Sequence, residues 1–142
     1  MFFEDFAPGR VFELGSRTLT EADIVAFARE WDPQPLHLDG EVIASGWQTV
    51  CVWMRMYVDA VLNHAAMLAA PGVEEVRWLR PVKPGMRLNG RTTILESWPS
   101  QRTPERGNVR LRGELIDDEG EVVMSVVGLG RVWRQSPEGA AA

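Results

Sequence analysis

The chain has 142 residues, 45% of them hydrophobic, with six tryptophans, one cysteine and a formal net charge of −5. This length suits one domain with a buried core and leaves too little chain for two. Residues 73–112 carry nine Lys or Arg against four acids, whereas residues 1–41 carry nine acids against three Arg. A basic strip on an acidic protein favours a small phosphorylated ligand over a nucleic acid backbone.

Signals for targeting, disulfides and metals are not visible. Residues 1–5 lack a basic stretch followed by an apolar run, so no secretory signal is expected. Cys51 lies among apolar neighbours, and we expect it to be a small core residue in a reducing compartment. The two histidines and one cysteine lack the spacing of a metal site. We therefore expect a cytoplasmic protein that holds no metal.

The first predicted elements are a strand and an amphipathic helix. Residues 11–19 alternate loosely, which indicates a strand. Thr20 should cap the following helix, because Asp23 stands three residues on in a capping box. Pro33 disfavours helical geometry at Asp32, so the helix should end with its apolar stripe. That stripe recurs at helical spacing: Ile24, Phe27, Ala28 and Trp31.

The longest apolar stretch predicts a central helix over residues 46–68. Its few polar residues form a narrow stripe, so the helix should be buried on most of its circumference. Charged residues along its length make it a poor bilayer span. Ser45 is predicted to cap this helix, with Gln48 reaching back in a capping box. The first N–H groups, beginning at Gly46, then remain available to another partner.

A run of strands is predicted after a break at Pro71-Gly72. The candidates are residues 73–82, 86–98, 108–117 and 121–133. The second and third alternate as in a sheet with one wet face. The fourth is apolar on both faces, which suits a central strand or one covered by a partner. Short turns predict a four-strand antiparallel meander. We expect an α+β domain over residues 1–135, a sheet around one buried helix, and a disordered tail over residues 136–142.

The candidate chemistry lies in residues 32–39, between the two helices. Pro33 and Pro35 stiffen this segment, so its side chains can be held rigidly. Asp32 and His37 could hold one water between them, which is the minimum equipment for general acid/base chemistry. Taken separately, Asp32 could cap a turn and His37 could be structural. Because both residues lie in one stiff segment beside a helix amino terminus, we favour a catalytic role for the pair over these separate structural roles.

Three groups of residues carry a resemblance to a known family. They are Asp32 to His37 followed by Ile43-Ala44-Ser45-Gly46, Phe3-Glu4-Asp5-Phe6 with Pro8-Gly9, and Arg77-Trp78-Leu79-Arg80-Pro81-Val82 with Pro84-Gly85. They resemble the MaoC-type dehydratases, hot dog fold relatives of the R-specific enoyl-CoA hydratases. The resemblance implies an antiparallel sheet wrapped around a long central helix. It also implies that Asp32 and His37 hold the water added to a trans-2-enoyl thioester, and that the Gly46 N–H binds the thioester carbonyl.

The chain departs from the family pattern at three places. Gln34 stands where the family usually has Asn, and Ser45 where it commonly has His. The stretch between His37 and Ile43 is several residues shorter than usual, which removes a short helical wall of the substrate tunnel. Hydration of a 2-enoyl-CoA, or the reverse dehydration of a 3-hydroxyacyl-CoA, is the leading hypothesis. The alternatives are a hot dog acyl-CoA thioesterase and a noncatalytic acyl-CoA-binding subunit.

The resemblance also implies binding residues and an assembly. Arg77, Arg80 and Lys83, at the end of the first strand candidate after the central helix, are the implied partners of the CoA phosphates. A CoA thioester is the implied substrate, and no cofactor is implied. Relatives pair their sheets edge to edge, so we expect a homodimer or a dimer of dimers. No nucleic acid or membrane partner is expected.

Overall fold

The computed structural model describes residues 1–136. The predicted tail lies, from residue 137 on, outside the described residues. Two short 3₁₀ turns, Phe3–Asp5 and Leu62–His64, accompany three helices and five strands. In chain order these are β1 (Val11–Thr18), α1 (Glu21–Trp31), α2 (Pro35–Leu38), α3 (Gly46–Ala60), β2 (Met67–Trp78), β3 (Arg87–Pro99), β4 (Arg106–Ile116) and β5 (Val122–Trp133).

The strands form one antiparallel sheet in the order β1-β3-β4-β5-β2. Helix α3 contacts β1, β3, β4 and β5, so the sheet wraps around it. The buried apolar residues of α3 and of the inner sheet face form one core cluster. The α+β prediction of a sheet around one central helix is confirmed, and the arrangement is the hot dog fold.

The predicted four-strand meander is wrong at its first strand. Strands β3, β4 and β5 form a meander, but β2 pairs with the far edge of β5 and not with β3. The turn at residues 83–85 therefore joins strands that are not neighbours. Alternation of apolar residues specifies which face of a strand is buried, and it does not specify which strands pair. The central position predicted for β5 is confirmed.

The central helix is shorter than predicted. It ends at Ala60, and β2 begins at Met67 and runs through the predicted break at Pro71. A short apolar run fits a buried helix or a strand equally well, which is why the boundary was misplaced. Pro71 is tolerated because β2 is an edge strand with an irregular register at this point. No helix within residues 1–136 is long and apolar enough to span a membrane.

The two predicted capping boxes have different outcomes. At α1, the Thr20 N–H donates to Asp23 Oδ2 at 2.9 Å and the Asp23 N–H donates to Thr20 Oγ1 at 3.1 Å, which confirms the box. At α3, the Ser45 side chain makes no capping hydrogen bond, and Gln48 Nε2 instead donates to the Asp23 carbonyl at 3.0 Å. Cys51, expected in the core, is exposed on α3.

One buried tryptophan fixes α3 against the sheet. Trp53 is 3% exposed, and its Nε1–H donates to Thr92 Oγ1 at 3.1 Å. The Tyr57 ring stacks on it with centroids 5.1 Å apart. A Cβ at Gly113 would overlap the Trp53 indole, so β4 approaches the helix closely only because this residue is glycine. This contact holds the middle of α3 against β4.

Candidate active site

Asp32 and His37 are brought into direct contact. Asp32 follows the last residue of α1, and His37 lies on the one-turn helix α2, where a loop was expected. Pro35 occupies the first position of α2, where its missing N–H costs nothing. His37 Nε2 lies 3.1 Å from Asp32 Oδ2, with the imidazole buried and the carboxylate partly exposed. The predicted acid and imidazole pair therefore forms one unit.

The orientation of the His37 ring follows from its second nitrogen. His37 Nδ1 lies 2.6 Å from the Ile43 carbonyl oxygen. A carbonyl oxygen only accepts hydrogen bonds, so Nδ1 carries a proton and Nε2 is the atom presented to Asp32. Gly40, with φ of +69°, lets the chain reverse between His37 and Ile43. The short connection thus holds the imidazole in place.

The Asp32 carboxylate is held in its charged form. Gln34 Nε2 donates to Asp32 Oδ1 at 2.5 Å. This hydrogen bond, with contributions from the Ser45 hydroxyl and the neighbouring His37, lowers the pKa of Asp32 against the opposing effect of desolvation. Ser45 Oγ is fully buried and forms no hydrogen bond of good geometry, but it is close enough to the carboxylate to favour its charge. An ionised carboxylate at neutral pH can accept a hydrogen bond from a water and orient it.

Gly46 opens α3 next to this pair. The Ala44 N–H donates to the Val82 carbonyl at 2.8 Å, which anchors the segment before the helix. Within residues 1–136, the Gly46 N–H has no acceptor. The amino terminus of a helix carries partial positive charge and free N–H groups. Gly46 can therefore bind a carbonyl oxygen on which negative charge develops.

A single cavity of about 430 Å³ contains these groups and is open to solvent. Asp32, Gln34 and His37 form its polar side. Its remaining lining is largely apolar and comes from α3 and the segment before it, from the end of β2 and the segment after it, and from β5: Ile43, Ala44, Gly46, Trp47, Thr49, Trp78, Leu79, Arg80, Pro81, Val82 and Val123. The cavity places an acid/base pair and a free N–H opposite an apolar wall.

The three predicted phosphate-binding residues do not form one cluster. Arg80 lines the cavity, and its Nη2 lies 3.5 Å from Glu121 Oε2 in an exposed ion pair. Arg77 pairs with Glu75 on β2 and does not line the cavity. Lys83 lies at a separate depression beside Glu21 and Glu41. The structure thus brings only Arg80 to the candidate site.

Sequence reasoning missed four residues that shape the site. Ser45 was interpreted as a helix cap, and Gln34 only as a departure from the family pattern. Trp47 and Trp78 were counted as core or motif residues, yet they line the cavity. The contact of Gln34 with Asp32 could have been predicted, because Gln34 stands two residues after Asp32 in a stiff segment. The contacts of Trp78 depend on strand pairing and had no local signal.

Comparisons with known proteins identify relatives of this chain. Residues 5–112 match the model of the family described as MaoC like domain. The crystal structure of a MaoC-like dehydratase from Rhodospirillum rubrum has 35% sequence identity and a TM-score of 0.88, covering 96% of this chain and 99% of that one. The uncharacterized protein YdeM of Bacillus subtilis (strain 168) is 27% identical over 110 residues, 71% of this chain and 78% of YdeM. The unliganded R-hydratase PhaJ1 from Pseudomonas aeruginosa, at 23% identity and a TM-score of 0.75, shares the fold over 94% of this chain and 86% of its own.

Proposed function

Because the chain belongs to the family of MaoC-like dehydratases, we propose that it reversibly hydrates a trans-2-enoyl-CoA to an (R)-3-hydroxyacyl-CoA. The observation that carries the proposal is the contact between His37 Nε2 and Asp32 Oδ2, 3.1 Å apart, in the same cavity as the free Gly46 N–H. An acid/base pair and an oxyanion site are what addition of water to a conjugated thioester requires.

In the proposed reaction, a water that contacts both Asp32 and His37 attacks the β-carbon. The hydroxyl group stays on that carbon, and the proton taken from water is returned by the pair to the α-carbon. Negative charge that develops on the thioester oxygen is stabilised by the Gly46 N–H and the positive end of α3. Dehydration follows the same steps in reverse.

A panel of 2-enoyl-CoA thioesters of increasing chain length tests the reaction class. Loss of enoyl absorbance and release of free thiol are followed in the same sample. Hydration consumes enoyl absorbance without thiol release, which is the expected result. Thiol released in equal amount to substrate lost would instead identify a thioesterase, and binding without turnover across the panel would identify a noncatalytic acyl-CoA-binding subunit.

We propose that Arg80 contacts a phosphate of the CoA moiety at the mouth of the cavity. Its ion pair with Glu121 is exposed and weak, so the guanidinium can exchange partners. Arg80→Glu should raise the KM for CoA thioesters at low salt and leave the KM for pantetheine thioesters unchanged. Arg77→Glu, which alters the charge equally outside the cavity, is the matched control. An equal effect of Arg80→Glu on both substrate types would argue against phosphate contact.

We further propose that the protein is a homodimer, or a dimer of dimers, joined through β2. This strand spans Met67–Trp78 at the edge of the sheet, and almost all of its residues are exposed. Its exposed side chains include Leu68 and Val73. A long apolar edge left unpaired would be an aggregation hazard. Sedimentation that shows a fully active monomer at micromolar concentration would contradict this assembly.

The remaining features of the proposal concern the substrate, cofactors, partners and compartment. The CoA thioester is the substrate, and the hydration needs no further cofactor. The partner is a small molecule rather than a nucleic acid or a membrane, and the proposed compartment is the cytoplasm. Activity of the purified protein in a buffer containing a metal chelator tests the cofactor statement.

A further inference from the structure

Two exposed indoles form a wall of the cavity. Trp47 lies in the first turn of α3, and Trp78 ends β2. Their ring centroids are 5.1 Å apart and their planes make an angle of 78°. Trp47 is 56% exposed and Trp78 is 46% exposed, whereas Trp53 is buried. The two indoles therefore present aromatic surface to the cavity that no other part of residues 1–136 covers.

The Trp78 ring is seated directly against Gly46. A Cβ added to Gly46 would lie 2.5 Å from Trp78 Nε1 and 2.6 Å from Trp78 Cδ2. Cε2, the ring-fusion carbon bonded to both of these atoms, is nearer still, so the added Cβ would lie above the ring, and the face of the indole covers the Cα of Gly46. A carbonyl oxygen bound to the Gly46 N–H lies about 2.9 Å from that nitrogen. A thioester held at that N–H adjoins the indole, because Gly46 and Trp78 line the same cavity.

We propose that Trp78, braced by Trp47, selects acyl groups whose flat conjugated system continues beyond the 2-enoyl double bond. A 2,4-dienoyl or 3-arylacryloyl thioester presents more planar π surface to the indole than an enoyl thioester with a saturated tail. Aromatic faces favour flat π systems in offset stacking beyond the area that they bury. The inference deepens the proposed function and rests on it. It names the substrate class of the same site.

The contact with Gly46 prevents the Trp78 indole from moving in one direction. The indole cannot retreat toward α3, because the backbone of Gly46 already occupies that space. Trp47 contacts it edge to face and limits rotation on another side. A bulky saturated chain cannot gain room by displacing the ring toward the helix, whereas a flat group needs no such movement. The preference thus follows from shape as well as from stacking.

The test compares two thioesters with the same number of carbons, 2,4-hexadienoyl-CoA and 2-hexenoyl-CoA. Water adds across the C2–C3 double bond in both, so the dienoyl substrate keeps its C4–C5 double bond. The readout is the ratio of their kcat/KM values in each variant, divided by that ratio in the wild type. Differences in intrinsic reactivity cancel in this comparison.

Trp78→Leu should lower the dienoyl preference on the order of threefold to tenfold, the size expected for lost aromatic contact. Trp78→Phe, which keeps a flat ring, should stay within about twofold of the wild type. Trp98→Leu removes a similarly exposed indole from β3, outside the cavity, and should leave the ratio unchanged. An unchanged ratio in Trp78→Leu, or an equal change in Trp98→Leu, overturns the proposal.

Two further measurements keep the proposal separable from folding and from the proposed reaction. Trp47→Leu changes no residue of β2 and should also lower the ratio of the two kcat/KM values. It therefore tests the proposal even if the Trp78→Leu protein does not fold. The dissociation constants of both thioesters, measured by calorimetry on Asp32→Asn protein, test the wall without turnover. If the wild-type protein binds 2,4-hexadienoyl-CoA more tightly than 2-hexenoyl-CoA but hydrates neither thioester, the proposed hydration is wrong and the selection by Trp78 is supported. Equal dissociation constants for the two thioesters would contradict the proposed selection by Trp78.

Discussion

Gly46→Ala tests the contact that links the fold to the candidate site. The added methyl would lie 2.5 Å from Trp78 Nε1, whereas ordinary contact begins at 3.4 Å. The indole must therefore move away by at least about 0.9 Å, since Trp78 Cε2 is nearer still. Trp78 is 46% exposed, so the ring can shift toward solvent without disturbing the core. We expect the free energy of unfolding to fall by about 1 kcal/mol, the low end of the cost of overpacking.

Gly113→Ala provides the comparison, because the same methyl would overlap the indole of Trp53. That ring is 3% exposed and its Nε1–H is bonded to Thr92, so it cannot move outward. The expected loss is about 3 kcal/mol. Both variants are measured by urea denaturation with linear extrapolation.

A double-mutant cycle assigns the cost of Gly46→Ala to the indole. In a Trp78→Ala background the methyl has room, so Gly46→Ala should cost almost nothing, and the coupling between the two residues should be about 1 kcal/mol. The reasoning is refuted if Gly46→Ala is equally costly with and without the indole. It is also refuted if Gly113→Ala is the milder of the two glycine substitutions.

Three further predictions concern packing and caps. Thr92→Val keeps the side-chain shape but removes the acceptor of Trp53 Nε1–H, so unfolding free energy should fall by about 1–3 kcal/mol in urea, and Thr92→Ser should lose less. Thr20→Ala removes the α1 cap and should cost about 1 kcal/mol, seen as a lower Tm; an unchanged Tm would contradict the cap. Hydrogen bonds from Thr20 lower the pKa of Asp23 below its ordinary 3.8, so this carboxylate stabilises the fold above that value, and its contribution is lost as the pH falls through the lowered pKa. Asp23→Asn should therefore flatten the acid side of the stability profile, which denaturation between pH 2 and pH 5 would show.

The parts of the site that are close in sequence could be predicted. Asp32 and His37 are five residues apart in a segment stiffened by two prolines, and the structure brings them into contact. The Thr20–Asp23 capping box is equally local and was also predicted. Both predictions rest on backbone geometry that a few residues determine.

Features that depend on strand pairing could not be predicted. The end of α3 and the start of β2 lie in one apolar run that suits either element, so the helix was drawn too long. Arg77 and Lys83 were grouped with Arg80 from the family resemblance, and neither lines the cavity that Arg80 lines. The contact of Trp78 with Gly46 follows from the position of β2 beside β5, which no local pattern specifies.

Hydration of a 2-enoyl-CoA by Asp32→Asn and His37→Gln proteins tests the central claim most directly. Asp39→Asn removes an exposed carboxylate from the same segment and serves as the matched control, with circular dichroism confirming that all three variants are folded. Each of the first two substitutions should lower kcat/KM by on the order of a hundredfold or more, and Asp39→Asn should leave it unchanged. Hydration at the wild-type rate by a protein carrying both Asp32→Asn and His37→Gln would contradict the assignment of this pair.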